Sequence, residues 1–122
     1  MSKNTLCDAI KNLELQYQLT PYQKNKLDEF ISLLTIGDFI YPGSLKSKLF
    51  IDIQVVYQML ELLKNEGYLT TIYEVYCFEC SHSKGIFLNS ISEFNEDYCC
   101  DFCGTQLNPF DNLIVLYKVI NI

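Results

Sequence analysis

At 122 residues, 49% hydrophobic and 14% aromatic, the chain is long enough for one modest core or two small units and too apolar for a disordered tail. No apolar run approaches the roughly eighteen residues that span a bilayer, and the polar residues 1 to 8 lack a signal-peptide pattern. The expectation is a soluble cytoplasmic protein with no membrane partner. Nine basic residues, all lysines, against fifteen acids give a net charge of −6. Seven lysines face eight acids up to Thr70, but two face seven from Thr71 onward, so a phosphate backbone would be repelled by the C-terminal part.

Leu6, Ile10, Leu13 and Tyr17 recur at near-helical spacing, which predicts a short amphipathic helix over residues 5 to 17, with Cys7 as a small buried hydrophobe. Thr20-Pro21-Tyr22-Gln23 opens a second helix on three agreeing signals: Thr as N-cap, Pro at the first helical position, and Gln placed to complete a capping box. Leu27, Phe30, Ile31 and Leu34 form its apolar stripe, and Gly37 is placed to close it. Asp38-Phe39-Ile40-Tyr41 predicts a brief extended segment stopped by Pro42-Gly43. Ser44 then caps a short helix over residues 45 to 49. After a corner at Phe50-Ile51, Asp52 caps a longer helix running to Glu66 and ending at Gly67. Residues 68 to 76 read as a strand with Leu69, Thr71, Tyr73 and Val75 on one face, leading without a linker into Cys77.

Two hooks follow, Cys77-Phe78-Glu79-Cys80 and Cys100-Asp101-Phe102-Cys103, separated by nineteen residues. Each C-x-x-C turn can place two sulfurs on one side, and two such turns facing each other complete the tetrahedron of one structural Zn²⁺. Cys99 and His82 are the competing ligands. Cys100 alone keeps the x-x spacing, and Gly104 follows Cys103 where a knuckle favours positive φ. Disulfides suit an oxidising compartment, and thioredoxin-like chemistry a single C-x-x-C opening a helix, so the sequence points to zinc. Residues 84 to 89 read as a ribbon strand, Glu93, Glu96 and Asp97 as a solvated tip, and Tyr98-Cys99 as the strand entering the second hook. Residues 113 to 120 predict a last strand, paired within the ribbon or with residues 68 to 76.

The fold class expected is α+β: a winged-helix-like domain over residues 1–74, then a zinc ribbon with a C-terminal strand over residues 75–122. Leu49-Phe50-Ile51-Asp52 through Leu63-Lys64-Asn65-Glu66-Gly67-Tyr68-Leu69 resembles the recognition-helix-to-wing passage of the winged helix-turn-helix superfamily. With the four-cysteine ribbon after it, the order of modules is similar to that of the alpha subunit of archaeal and eukaryotic general transcription factor E. The similarity extends over most of the chain and assigns no residue roles.

In a winged helix that reads DNA, the third helix does the reading. Projected at about 100° per residue, residues 53 to 66 are apolar over an arc of roughly 220°, wider than one core demands. The expectation is a non-enzymatic protein-binding subunit or adaptor in which Val55, Met59 and Leu62 meet another chain or a second copy. The intramolecular alternative is cover by the N-terminal helix or the ribbon. A DNA-binding regulator is the competing reading, with Gln54 and Gln58 at base edges and Lys46 and Lys48 at phosphates, but it lacks arginine and has Glu61 amid its polar strip. One histidine and a closed four-sulfur site supply no catalytic base, nucleophile or open metal position, so neither an enzyme nor a small-molecule substrate is expected.

Overall fold

The structure, a computed structural model, describes residues 5–122, and its fold is α+β. The elements in order are α1 Leu6–Gln16, α2 Pro21–Ser32, β1 Phe39–Ile40, α3 Pro42–Leu49, α4 Ile53–Asn65, β2 Leu69–Cys77, β3 His82–Leu88, a single 3-10 turn Ile91–Glu93, and β4 Leu113–Val119. The strands form one antiparallel sheet in the order β1-β4-β2-β3. Two compact units result, one of residues up to Thr70 with Tyr117–Ile122, the other Thr71–Leu116. The expected boundary after residue 74 therefore lies inside β2. The last residues of β4, expected with the ribbon, join the first unit because they pair with β1, Phe39 with Lys118 and Ile40 with Tyr117. Gly37 and Ile120 extend that attachment, their N–H groups donating to Val119 O (2.8 Å) and Tyr68 O (2.9 Å).

In the first unit the helices begin where their side chains satisfy the free N–H groups. Thr5 and Asp8 form a reciprocal capping box on α1, and Thr20 and Gln23 form one on α2, with Pro21 at the first helical position. Gln23 also donates through Nε2 to Leu49 O (3.1 Å), tying the start of α2 to the end of α3. Asp52 caps α4 by accepting the Gln54 N–H at 3.1 Å, and Phe50 takes the corner with φ 53°.

Four local expectations are corrected. The α2 helix ends at Ser32, well before Gly37, whose φ of 99° serves the turn into β1. Ser44 lies inside α3, because Pro42 with its preset φ starts that helix. Cys7 is exposed: the buried stripe of α1 is Leu6, Ala9, Ile10 and Leu13, and position 7 falls outside it. On β2 the single face of Leu69, Thr71, Tyr73 and Val75 is kept only at Leu69 and Val75: Thr71 and Tyr73 are half-buried, while Ile72, Glu74 and Cys77 are buried as well. Between Glu74 and Tyr76 the pairing slips by two residues, Glu74 facing Phe87 but Tyr76 facing Ser83, with the extra residues on β3.

The core of this unit also explains the wide apolar arc of α4. Val56, Met59, Leu60 and Leu63 are all at most 2% exposed, and α4 packs against both α3 and α1. Two neighbours require two apolar stripes. Met59, at 1% exposure, is thus a core residue, whereas Val55 and Leu62 are only half-buried.

One buried charge is left between the helices. Glu14 is 6% exposed, and its Oε2 has no hydrogen-bond partner. Burial, and then the Asp28 carboxyl that hydrogen-bonds to it and repels it, push its pKa up from 4.5 to about 7 against the pull of Lys11 and Lys24. The folded chain holds this proton more tightly than the unfolded chain. The associated stability is complete below pH 4.5 and is lost as pH rises through about 7. Glu14→Gln should flatten that dependence and be the more stable protein at about pH 8 by about 1–2 kcal/mol, a figure reduced for screening by water. Urea unfolding across this pH range measures it, and identical slopes in the two proteins would overturn it.

Candidate metal centre

The second unit is small, and the cluster that surrounds the hooks is thin: Val75, Cys77, Leu88, Cys100 and Leu107 are buried in it. Around them pack Tyr73, Ile86, Phe94, Tyr98 and Leu113, with Phe94 and Tyr98 edge to face at 5.0 Å. Two of the five buried residues are cysteines of the hooks. In effect the sulfur cluster completes the core.

β2 delivers Cys77 at its last position, and the chain turns through Cys80 into β3. Ser81 makes this turn with φ 59°, and Gly104 makes the matching turn after Cys103 with φ 74°. Both hooks thus place a left-handed residue directly after the second cysteine, although only the second uses glycine. The second hook is closed by backbone hydrogen bonds, Gly104 N–H to Cys100 O (3.0 Å) and Cys100 N–H to Thr105 O (2.9 Å). A bridge between Cys99 and Gln106 stands in place of the expected entering strand.

The Sγ atoms of Cys77, Cys80, Cys100 and Cys103 all lie within 4.8 Å of one another. Two of the edges are 3.7 Å, Cys77 to Cys103, and 3.3 Å, Cys80 to Cys100. A tetrahedron with Zn–S bonds of about 2.3 Å has edges of about 3.8 Å, so this all-sulfur set fits a single metal ion. Cys99 is exposed and outside the cluster, and all six cysteines are free thiols. His82 is also outside. Its Nδ1 lies 3.3 Å from Cys80 Sγ, and its ring stacks on Phe102 at 4.0 Å, placing it around the cluster and not within it.

The surroundings already favour negative sulfur on one side. The N–H groups of Cys103 and Phe102, directed at Cys100 Sγ, hold that thiol down to about 6, and the Thr105 hydroxyl, 3.1 Å away, together with its N–H lowers Cys103. Cys80, sharing a hydrogen bond with the Cys100 sulfur and partly desolvated, is pushed up to about 12. Thiols this close resist successive ionisation, and a bound dication relieves that repulsion. With Ser81 in the place that matches Gly104, the sequence left the first turn open, and the roles of Thr105 and the Phe102 N–H went unread. The turn stayed open because a positive φ is unusual for serine, and the other two went unread because sulfur hydrogen bonds have no spacing signature.

The remaining predicted residues are scattered over the first unit. Lys46 and Lys48 are exposed on α3, with Lys48 Nζ 4.7 Å from the Phe30 ring centroid. Gln54 and Gln58 are exposed one turn apart on α4. Glu61, in the same strip, accepts the Tyr117 hydroxyl at 2.6 Å and lies 3.7 Å from Lys64. Leu62 borders a shallow groove of about 400 Å³ with Tyr17, Tyr57 and Glu61. No described helix is long and apolar enough to cross a membrane. Comparison with protein-family models, curated proteins and solved structures gave no match to the chain.

Proposed function

We propose that the chain is a non-enzymatic interaction module: a winged-helix-like unit joined to a ribbon held by one structural Zn²⁺, serving as a protein-binding subunit or adaptor in the cytoplasm. The observation that carries this reading is the gathering of four cysteine sulfurs, with no histidine or carboxylate among them, within 4.8 Å. An all-thiolate set saturates zinc and leaves no position for water or substrate, so the ion supplies folding energy and not Lewis-acid chemistry. Cys77, Cys80, Cys100 and Cys103 are the residues that would hold it. The order helix, helix, strand, helix, helix, strand supports the winged-helix reading of the first unit. The half-buried Val55 and Leu62 then stay as the partner-facing part of α4, and Met59 leaves that set.

The test is reconstitution. A partner captured on the tagged, zinc-loaded chain should, when purified separately, re-form a stoichiometric complex that Leu62→Asp disrupts. DNA is the competing ligand because Gln54 and Gln58 share an exposed face. With net charge −6 and no arginine, the chain should bind a duplex at physiological salt with Kd of about 10⁻⁴ M or weaker in fluorescence anisotropy. Tight binding to one duplex, with base preference changed by Gln54→Ala or Gln58→Ala, would give the DNA reading first place.

A further inference from the structure

Beside the first hook, a cleft of about 550 Å³ is lined by Phe78, Glu79, Thr105, Gln106, Asp111 and Asn112, together with Asn108. Phe78 lines it at 56% exposure, and Phe110, at 93%, lies in the loop of residues 108 to 112, whose Asn108, Asp111 and Asn112 line it. That loop is tightly held. Asn108 Oδ1 accepts the N–H groups of Phe110 (3.0 Å) and Asp111 (2.8 Å), and Asn112 Oδ1 accepts the Asn108 N–H at 2.9 Å. The buried Asn112 also donates through Nδ2 to Tyr76 O on β2 at 3.0 Å. Phe110 is therefore presented on an ordered backbone, which removes part of the entropy cost that a docking aromatic would otherwise bring.

The charge around these rings has one sign. Within residues 71 to 116 a single lysine, Lys84, faces seven acids, and Asp101 takes it at 2.7 Å. Glu79 has no hydrogen-bond or ion-pair partner among the described residues, and Asp111 has only neutral Asn108 Nδ2 at 3.2 Å. Four thiolates on Zn²⁺ would add about two further negative charges nearby. A phosphate backbone is repelled by such a surface, whereas a cationic side chain finds carboxylates for its head and aromatic faces for its stem.

We propose that this cleft docks a lysine- or arginine-bearing segment of a partner protein, the cationic head between Glu79 and Asp111 and the adjoining apolar side chains against Phe78 and Phe110. The assignment rests on the protein-binding reading above and names the chemistry of the partner.

An immobilised array of random heptapeptides, probed with the full zinc-loaded chain, tests it. Bound peptides should be enriched in Lys or Arg next to an apolar residue. The signal should fall about tenfold or more in the double variant Glu79→Gln/Asp111→Asn and in Phe110→Ala, as expected for loss of an interface anchor. It should persist in Glu93→Gln/Glu96→Gln, which removes the same charge elsewhere. No enrichment, enrichment of acidic peptides, or equal losses in both double variants would overturn the cleft. Amide shift mapping of the best peptide on the unmodified chain needs no variant: changes centred on residues 78–79 and 105–112 support it, and changes centred elsewhere refute it. Zinc content, measured first, separates the two readings. A metal-free chain that still binds these peptides here sinks the zinc module and keeps the cleft, while a zinc-loaded chain without peptide binding does the reverse.

Discussion

Cys100→Ser should abolish stoichiometric zinc and unfold the second unit, whereas Cys99→Ser should keep one zinc per chain and leave the fold intact. The two cysteines are neighbours, but only Cys100 is in the sulfur cluster, at 6% exposure and 3.3 Å from Cys80 Sγ. The size of the effect follows from how little else holds residues 71 to 116. The cluster around the sulfurs has five buried members, and two of them are hook cysteines. Units this small commonly need a metal or disulfides to fold, and structural zinc binds with an apparent 10–16 kcal/mol, on the order of the whole stability of a domain. Metal analysis of the purified proteins reads the stoichiometry, and amide exchange at Val75, Leu88 and Leu107 reads the folding. Less than about half an equivalent of zinc in the parent chain, or release by Cys99→Ser with retention in Cys100→Ser, would show that the cluster is wrongly assigned.

Met59→Asp should unfold the first unit, while Leu62→Asp, three residues along the same helix, should leave it folded. Met59 is 1% exposed among Val56, Leu60 and Leu63, so the substitution both removes a packed side chain and buries an unpaired charge. Truncation of a buried Met alone costs about 2–5 kcal/mol, and the charge adds several more, which exceeds the margin of most small domains. Half-buried Leu62 can turn a carboxylate to solvent. Circular dichroism melts with zinc content as an internal control make the comparison. A cooperative, parent-like melt for Met59→Asp would return that residue to the partner-facing surface, and collapse of Leu62→Asp would remove Leu62 from it.

The residues whose meaning lies in short spacing were legible in the chain. Thr20-Pro21-Tyr22-Gln23 and Asp52 announced their helix starts because a cap bonds to N–H groups two or three residues away. The two C-x-x-C hooks announced the four sulfurs that cluster because a knuckle is a local turn, and Gly104 announced its positive φ. Long-range packing has no such signature. That α1 and α3 both cover α4, which moves Met59 from surface to core, depends on how helices far apart in sequence meet. Which residues of β2 are buried depends on the elements packed on its two faces, and the attachment of Tyr117–Ile122 to the first unit on pairing with Phe39 and Ile40. Likewise the cleft at Phe78 exists only because Asn112 anchors its loop to Tyr76, thirty-six positions away. Sequence alone determined the caps at Thr20 and Asp52, the Gly104 turn and the four clustered sulfurs of this protein, since each is decided by atoms within one or two turns of chain. Tertiary structure decided which apolar and acidic side chains reach water, because exposure is set by whatever distant segment arrives to cover them.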